Sequence, residues 1–353
     1  MKKLSAIFLA LSFILLSLSG CRSGPKQTLV VFAAGSLINP FNELEVAFEA
    51  DHPDVDVQTE YHGSIQVIRH ASELHEPIDV VASADAALIP MLMYNTFIPG
   101  TDTPYATWYI RFATNKLSIG YTDQSRYADE IDADNWYEIL ARKDVKVGIA
   151  DPRFDASGYR ALMAYALAGI ALDNLNIFGH MFGGQFAYPF KLTDNNGVTV
   201  IHVPEIVETY SGSHIVIRGS SIELIALLES GDLDYAFEYD SVIRQHGFNR
   251  VEMPDQFNLS VLAQNDFYQN VRVEMDFQRF ATVQPVFNGE QIRYGITIPA
   301  SSPNPDMAAE YIAFVLGPKG QEIMARNYQP LLEPVIADGV ENLPDLLKSF
   351  ASP

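Results

Sequence analysis

The chain has 353 residues, 48% of them hydrophobic, which is too long for one small core and enough for two packed domains. Its formal net charge is −21, from 44 acidic against 23 basic side chains. So acidic a surface speaks against nucleic acid as a partner and against electrostatic docking on anionic lipid, but not against a small anion, because a local site can oppose the overall field.

In chain order, "MKK" and the apolar run Leu4–Gly20 read as the charged and hydrophobic regions of a secretory signal peptide. The run is short for a membrane span, although an anchor or a buried first helix is the alternative. Cys21 comes directly after "LSG", as in a bacterial lipobox, where that cysteine is lipid-modified after cleavage. It is the sole cysteine, so no disulfide can form within the chain. Residues 1–21 are therefore expected to be a lipoprotein signal with lipidation at Cys21, and "RSGPKQ" (22–27) a tether. The body is expected outside the cytoplasm, held to the membrane by lipid alone.

The body alternates strand and helix, which predicts an α/β fold with mixed, mainly parallel sheets and flanking helices. "TLVVFA", "VDVQTEYH" and "IDVVASA" read as strands, each succeeded by a helical pattern. "WYIRFATNKLSIGYT" reads as two strands, "NWYEILAR" as a short helix, "VKVGIAD" as a strand and "DASGYRALMAYALAGIAL" as a long helix. "NNGVTVIHVPE" predicts a hairpin turning at Asn196-Gly197. "SSIELIALLESGDLDYAFEYDS" is helix, glycine stop, strand. A second hairpin is expected at Asn288-Gly289, between "ATVQPVF" and "QIRYGITIP", and the chain closes with two helices broken at Gly317-Pro318. The expected organisation is one lobe over residues 28–114, a second over 115–245, and a return to the first over 246–353.

The residues just beyond the strand ends carry the chemistry. "VVFAAGS" places Gly35 and Ser36 at a strand-to-helix turn, "EYHGS" places Ser64 at another, and "GIADPRFDASGYR" places Asp155 and Ser157 at a third. In open α/β sheets ligands bind beyond the carboxyl ends of the strands, where helix N-termini offer unpaired N–H groups. Three such ends would make a cage of donors without a full positive charge. The plain alternative is that each serine is an N-cap. Taken alone, Tyr239 reads as a core-edge tyrosine. Arg160 is read as the partner of a nearby acid, and Arg218 is the other cation that could meet an anion. The eight histidines (His52, His62, His70, His75, His180, His202, His214 and His246) form no metal-binding spacing. No nucleophile–base spacing supports a hydrolase built on Asp155 and a histidine, and the chain is read as a non-enzyme.

"FAAGSLINPFNELEVAFEADHPDVDV", "HGSIQVIRHASEL", "IDVVASADAALIPMLMY", "SGYRALMAYALA", "LIALLESGDLDYAFEYDSVIRQHGF" and "YGITIP", in this order, resemble the molybdate/tungstate-binding proteins of ABC transporters, in particular the archaeal-type branch. The resemblance runs from about residue 28 to about 335. It implies a two-lobed periplasmic-binding-protein type II fold closing over one tetrahedral oxyanion, which is then delivered to permease subunits by a monomeric, lipid-anchored receptor that needs no cofactor. It implies Gly35, Ser36, Ser64, Asp155, Ala156, Ser157, Ser221 and Tyr239 as the ligand-binding positions. In that branch an aspartate at the Asp155 position can ligate the metal of the oxyanion directly. A glutamate does the same from the other side, but this chain has Ser221 there, 18 residues before Tyr239. Glu223 and Glu238 stand nearby and would substitute only if the local backbone differs. A carboxylate against a dianion is repelled unless it bonds the metal, is protonated or turns away. Ser221 therefore favours four-coordinate, hydrogen-bonded binding, with Asp155 at most one extra ligand. The alternatives are a ferric-iron receptor of the same fold recruiting Tyr159 and Tyr239, a receptor for another oxyanion, or a sensor with a degenerate site.

Overall fold

The run Leu29–Phe32 is apolar on both faces of a strand, so it needs neighbours on both edges and cover on both sides. In the computed structural model, which describes residues 26–276 and 285–352, it becomes β1 (Gln27–Ala34), paired in parallel with β2 (Val55–His62) and β3 (Val80–Ser83). The signal segment and Cys21 lie outside the described residues. β4 (Tyr109–Thr114) belongs to the same sheet, whereas β5 (Leu117–Tyr121) already belongs to a second one with β6 (Val147–Ala150). β7 (Lys191–Asn195) and β8 (Val198–Val203) form the expected hairpin at Asn196-Gly197 in a third sheet. β9 (Ile215–Arg218), β10 (Tyr235–Tyr239) and β11 (Asn249–Val251) complete the second sheet. β12 (Val271–Met275) and β13 (Val286–Asn288) complete the third. β14 (Arg293–Thr297), β15 (Leu331–Asp338) and β16 (Ala351–Ser352) return to the first.

The spatial orders are β16-β15-β4-β14-β3-β1-β2, β11-β5-β10-β6-β9 and β13-β12-β8-β7. Pairing is parallel at β2-β1-β3 and β10-β6-β9, where helices make the crossovers, and antiparallel at β4, β5 and β14, where the chain passes between sheets. The helix Ala156–Ala171 is buried from Ala156 to Gly169 and packs against β6, β10, β8 and β12. Its apolar residues surround it, as a helix between two layers requires. The second and third sheets thus form one lobe, and the seven-stranded sheet with its helices forms the other.

Two expectations are corrected. The return to the first lobe does not begin at residue 246: β11 pairs with β5 and β12 with β8, so the chain rejoins the seven-stranded sheet only at β14. The Asn288-Gly289 step is not a hairpin, because β13 pairs with β12 and β14 with β3 and β4. Gly289 is needed there for close approach, since a β-carbon would lie 2.1 Å from the Tyr268 carbonyl oxygen. The two crossings run side by side: Ile292 N–H donates to the Leu259 carbonyl at 2.8 Å, and Thr114 Oγ1 to that of Ile292 at 2.8 Å.

Candidate functional site

The ends of β1, β2, β3, β6 and β10 and the start of the helix Ile222–Ser230 meet at the seam between the lobes. One close approach is at Gly63, where an added β-carbon would stand 2.5 Å from the Phe154 carbonyl oxygen and 3.2 Å from Asp155 Cβ. The Ile65 N–H donates to that same carbonyl across the seam at 3.1 Å. Gly35 faces Ile222, whose Cγ2 would be 3.0 Å from an added β-carbon. The two lobes therefore touch along this seam.

None of the serines makes a side-chain N-cap bond. Ser36, in the turn Gly35–Leu37, shares a hydrogen bond with the Tyr294 hydroxyl at 2.8 Å. Ser64 opens the helix Ser64–Ser72, and its Oγ accepts from Ala84 N–H at 3.0 Å. Ser157 is fully buried and its Oγ has no hydrogen-bond partner, which leaves a donor and two lone pairs for something else. Ala156 is buried beside it at the first position of the helix.

Asp155 is the cap. Its Oδ1 accepts from Ser157 N–H at 2.8 Å, and its Oδ2 accepts from Ser221 N–H, at the start of another helix, at 3.1 Å. Burial raises its carboxyl above the usual range against these bonds. Ser221 is buried next to Glu238, the acid of greatest interest here. Glu238 is fully buried, its Oε1 accepts from Tyr239 N–H at 2.7 Å, and its Oε2 has no partner. Burial first, and the Asp155 charge after it, push it up to about 8. Burial therefore favours its protonated form, which has a proton to donate. Glu223 turns away, with its Oε1 accepting from the Ser220 N–H and hydroxyl at 3.0 Å each.

Tyr239 accepts from Arg160 Nη1 at 2.5 Å, leaving its own proton free, and its ring lies 5.9 Å from that of Tyr294. Arg160, 2% exposed, also donates to the Ala84 carbonyl at 2.9 Å and pairs with Asp85 at 3.3 Å. The acid it meets comes from the end of β3 in the other lobe. The Tyr159 hydroxyl donates to the same Asp85 carboxylate, and Tyr159 stacks on Phe287 with centroids 4.2 Å apart. Arg218 donates to the Ile217 carbonyl. Among the described residues no group of three His, Cys, Asp or Glu side chains is placed to hold a metal ion, and no helix is long and apolar enough to cross a membrane.

The sequence reading missed four members of this network: Asp85, Asn115, Ser241 and Tyr294. Asn115, at the crossing between β4 and β5, donates to Ser241 Oγ at 2.8 Å and to the Tyr294 hydroxyl at 3.2 Å. Asp85 carried a usable signal, because "VVASAD" is another strand ending in small and hydroxylic residues. Tyr294 carried none locally.

Two lobes joined by paired crossings and closed on a small polar seam define a solute receptor. The chain belongs to the bacterial extracellular solute-binding protein family, whose profile matches residues 29–328. An uncharacterized solute-binding protein of Methanoculleus marisnigri is 37% identical over 91% of this chain and 86% of its own length. The molybdate/tungstate-binding protein of Pyrococcus abyssi is 36% identical over 97% of this chain and 96% of its own. Among solved structures, the periplasmic molybdate-binding protein of Azotobacter vinelandii superposes with a TM-score of 0.55 at 15% identity, covering 86% of this chain and 99% of that one, which establishes the shared fold.

Proposed function

We propose that the chain is the receptor of an ABC transporter and captures molybdate or tungstate in the seam. The observation that carries this is the convergence of uncharged donors from both lobes: Ser36 and Ser64 on one side, Ser157, Ser221 and Tyr239 on the other. An oxyanion held by such groups needs no cation, and hydrogen bonds to a charged acceptor are the strong ones. The name of the Pyrococcus abyssi relative supports molybdate or tungstate as that oxyanion. Size discriminates against sulfate, which has the same charge and shorter bonds.

Capture is hinge closure about the crossings at Thr114–Leu117 and Gly289–Ile292. Both oxygens of Asp155 are occupied by main-chain donors, which favours a four-coordinate guest held by hydrogen bonds. In its protonated form, which burial favours, Glu238 adds a donor without adding repulsion. The ferric-iron alternative is disfavoured, because it needs phenolates: Tyr159 spends its proton on Asp85, and burial pushes both Tyr159 and Tyr239 well above the ordinary phenol value. The receptor works as a monomer outside the cytoplasm, anchored through lipid on Cys21, and hands its cargo to permease subunits.

Isothermal titration with tungstate, molybdate, sulfate and phosphate tests the reading. One tight site is expected for the first two alone, and the absence of tight binding by both would overturn it. X-ray absorption at the tungsten edge tests the coordination, with four oxygen neighbours expected and six refuting the hydrogen-bonded mode.

A further inference from the structure

A second polar cavity, of about 190 Å³, lies beside the seam and is lined by Asp85, Tyr109, Arg111, Glu290, Gln291 and Arg293 among others. Arg111 stands on β4 and Arg293 on β14, neighbouring strands of the seven-stranded sheet. Arg111 Nη2 donates to the Tyr109 hydroxyl at 2.7 Å, and Arg293 Nε to Gln291 Oε1 at 3.1 Å. Among the described residues neither guanidinium has a carboxylate within ion-pair distance, although acidic side chains outnumber basic ones almost two to one in this chain. Asp85 does not neutralise them. Its Oδ2 is taken by Tyr159 and Arg160, and its Oδ1 accepts from Ala87 N–H at 3.0 Å.

Two like charges held in one cavity repel, and the arginine at 293 is held below its ordinary value by burial and by Arg111. Glu290 is the one acid left to balance them. Burial and the Asp85 charge raise its carboxyl above the usual range, and even when ionised it is one carboxylate against two guanidinium groups. The cavity therefore carries surplus positive charge. Its guanidinium groups have free N–H donors in the planar arrangement that suits oxyanions. Its rim is half-buried and reaches solvent.

We propose that this cavity is a second anion site, taking one small divalent oxyanion such as phosphate or sulfate between Arg111 and Arg293. It differs in kind from the seam: charge recognises the anion here, and size matters little. It does not depend on what the seam holds.

The test is a phosphate titration, and a parallel sulfate titration, of full-length protein carrying one equivalent of tungstate, which fills the tight seam and leaves the weaker cavity free. A further binding event of micromolar to millimolar affinity is expected. It should weaken at least tenfold in R111Q/R293Q, with tungstate binding unchanged, and persist in S36A. Absence of the event, or its survival in R111Q/R293Q, overturns the proposal. Should the double variant not fold, crystals of the natural protein soaked in selenate decide: an anomalous selenium peak between the two guanidinium groups supports the site, and its absence under soaking at saturating concentration refutes it. If tungstate does not bind at all, the titration on protein without it still separates the two sites through S36A and R111Q/R293Q.

Discussion

Glu238 shows how a buried acid is tuned by its surroundings. Its raised value means that the folded protein holds a proton that the unfolded chain releases. Stability from this group is full below the ordinary glutamate range and is lost as pH rises towards about 8. Urea unfolding of the natural protein between about pH 5 and pH 9 should show stability falling by the order of a few kcal/mol, and E238Q should flatten that slope. Equal slopes would mean that Glu238 is ionised in the fold. The same titration places a charge beside the cargo, so tungstate affinity should weaken through pH 8 in the natural protein and hold level in E238Q. Asp85 is the opposite case, a buried acid kept useful by its partners. D85A leaves Arg160 with a neutral hydroxyl and a carbonyl as its remaining partners in a dry site, and unfolding in urea should reveal a loss of about 3–5 kcal/mol.

Among the elements, those legible in the sequence are the ones whose signal is local. β2 occupies "VDVQTEYH" residue for residue, and the hairpin at Asn196-Gly197 forms where the turn residues demand it. At Asn288-Gly289 the same dipeptide misled, because a glycine required for close approach is spelled like one required for a turn. The serines at the strand ends were legible as a pattern, but their partners were not. Ser36 and Tyr294 are 258 positions apart, and nothing near either announces the other. Gly63 belongs at this scale too, since it sets how closely the helix Ser64–Ser72 approaches the Phe154 loop. In G63A the β-carbon cannot clear the Phe154 carbonyl, so closure is blocked while each lobe remains packed. Tungstate affinity should fall at least tenfold, about 1.4 kcal/mol, with little change in unfolding midpoint without ligand. Small-angle scattering should show that the compaction caused by tungstate in the natural protein is gone. Unchanged affinity would place the closing contact elsewhere.

For the whole molecule, capture and stability are linked, because a guest that bridges two lobes binds only the folded, closed form. At tungstate one hundred times its dissociation constant the gain is about 2.7 kcal/mol. Scanning calorimetry should therefore show the transition rising by several degrees, with sulfate at the same concentration giving less. No shift with tungstate would remove the seam from consideration as its site.

The chain enters the fold at β1 and leaves it at β16, and both strands belong to the seven-stranded sheet. The other lobe is in effect an excursion, begun at Thr114 and ended at Arg293, that contains neither the first nor the last described strand. A pulling force applied at the two ends would load only the first lobe, and the second would ride along with its own strands unstressed. Fluorescent dyes at the termini would likewise miss the opening and shutting of the receptor altogether; one of the pair must be set within the excursion for the motion to be seen.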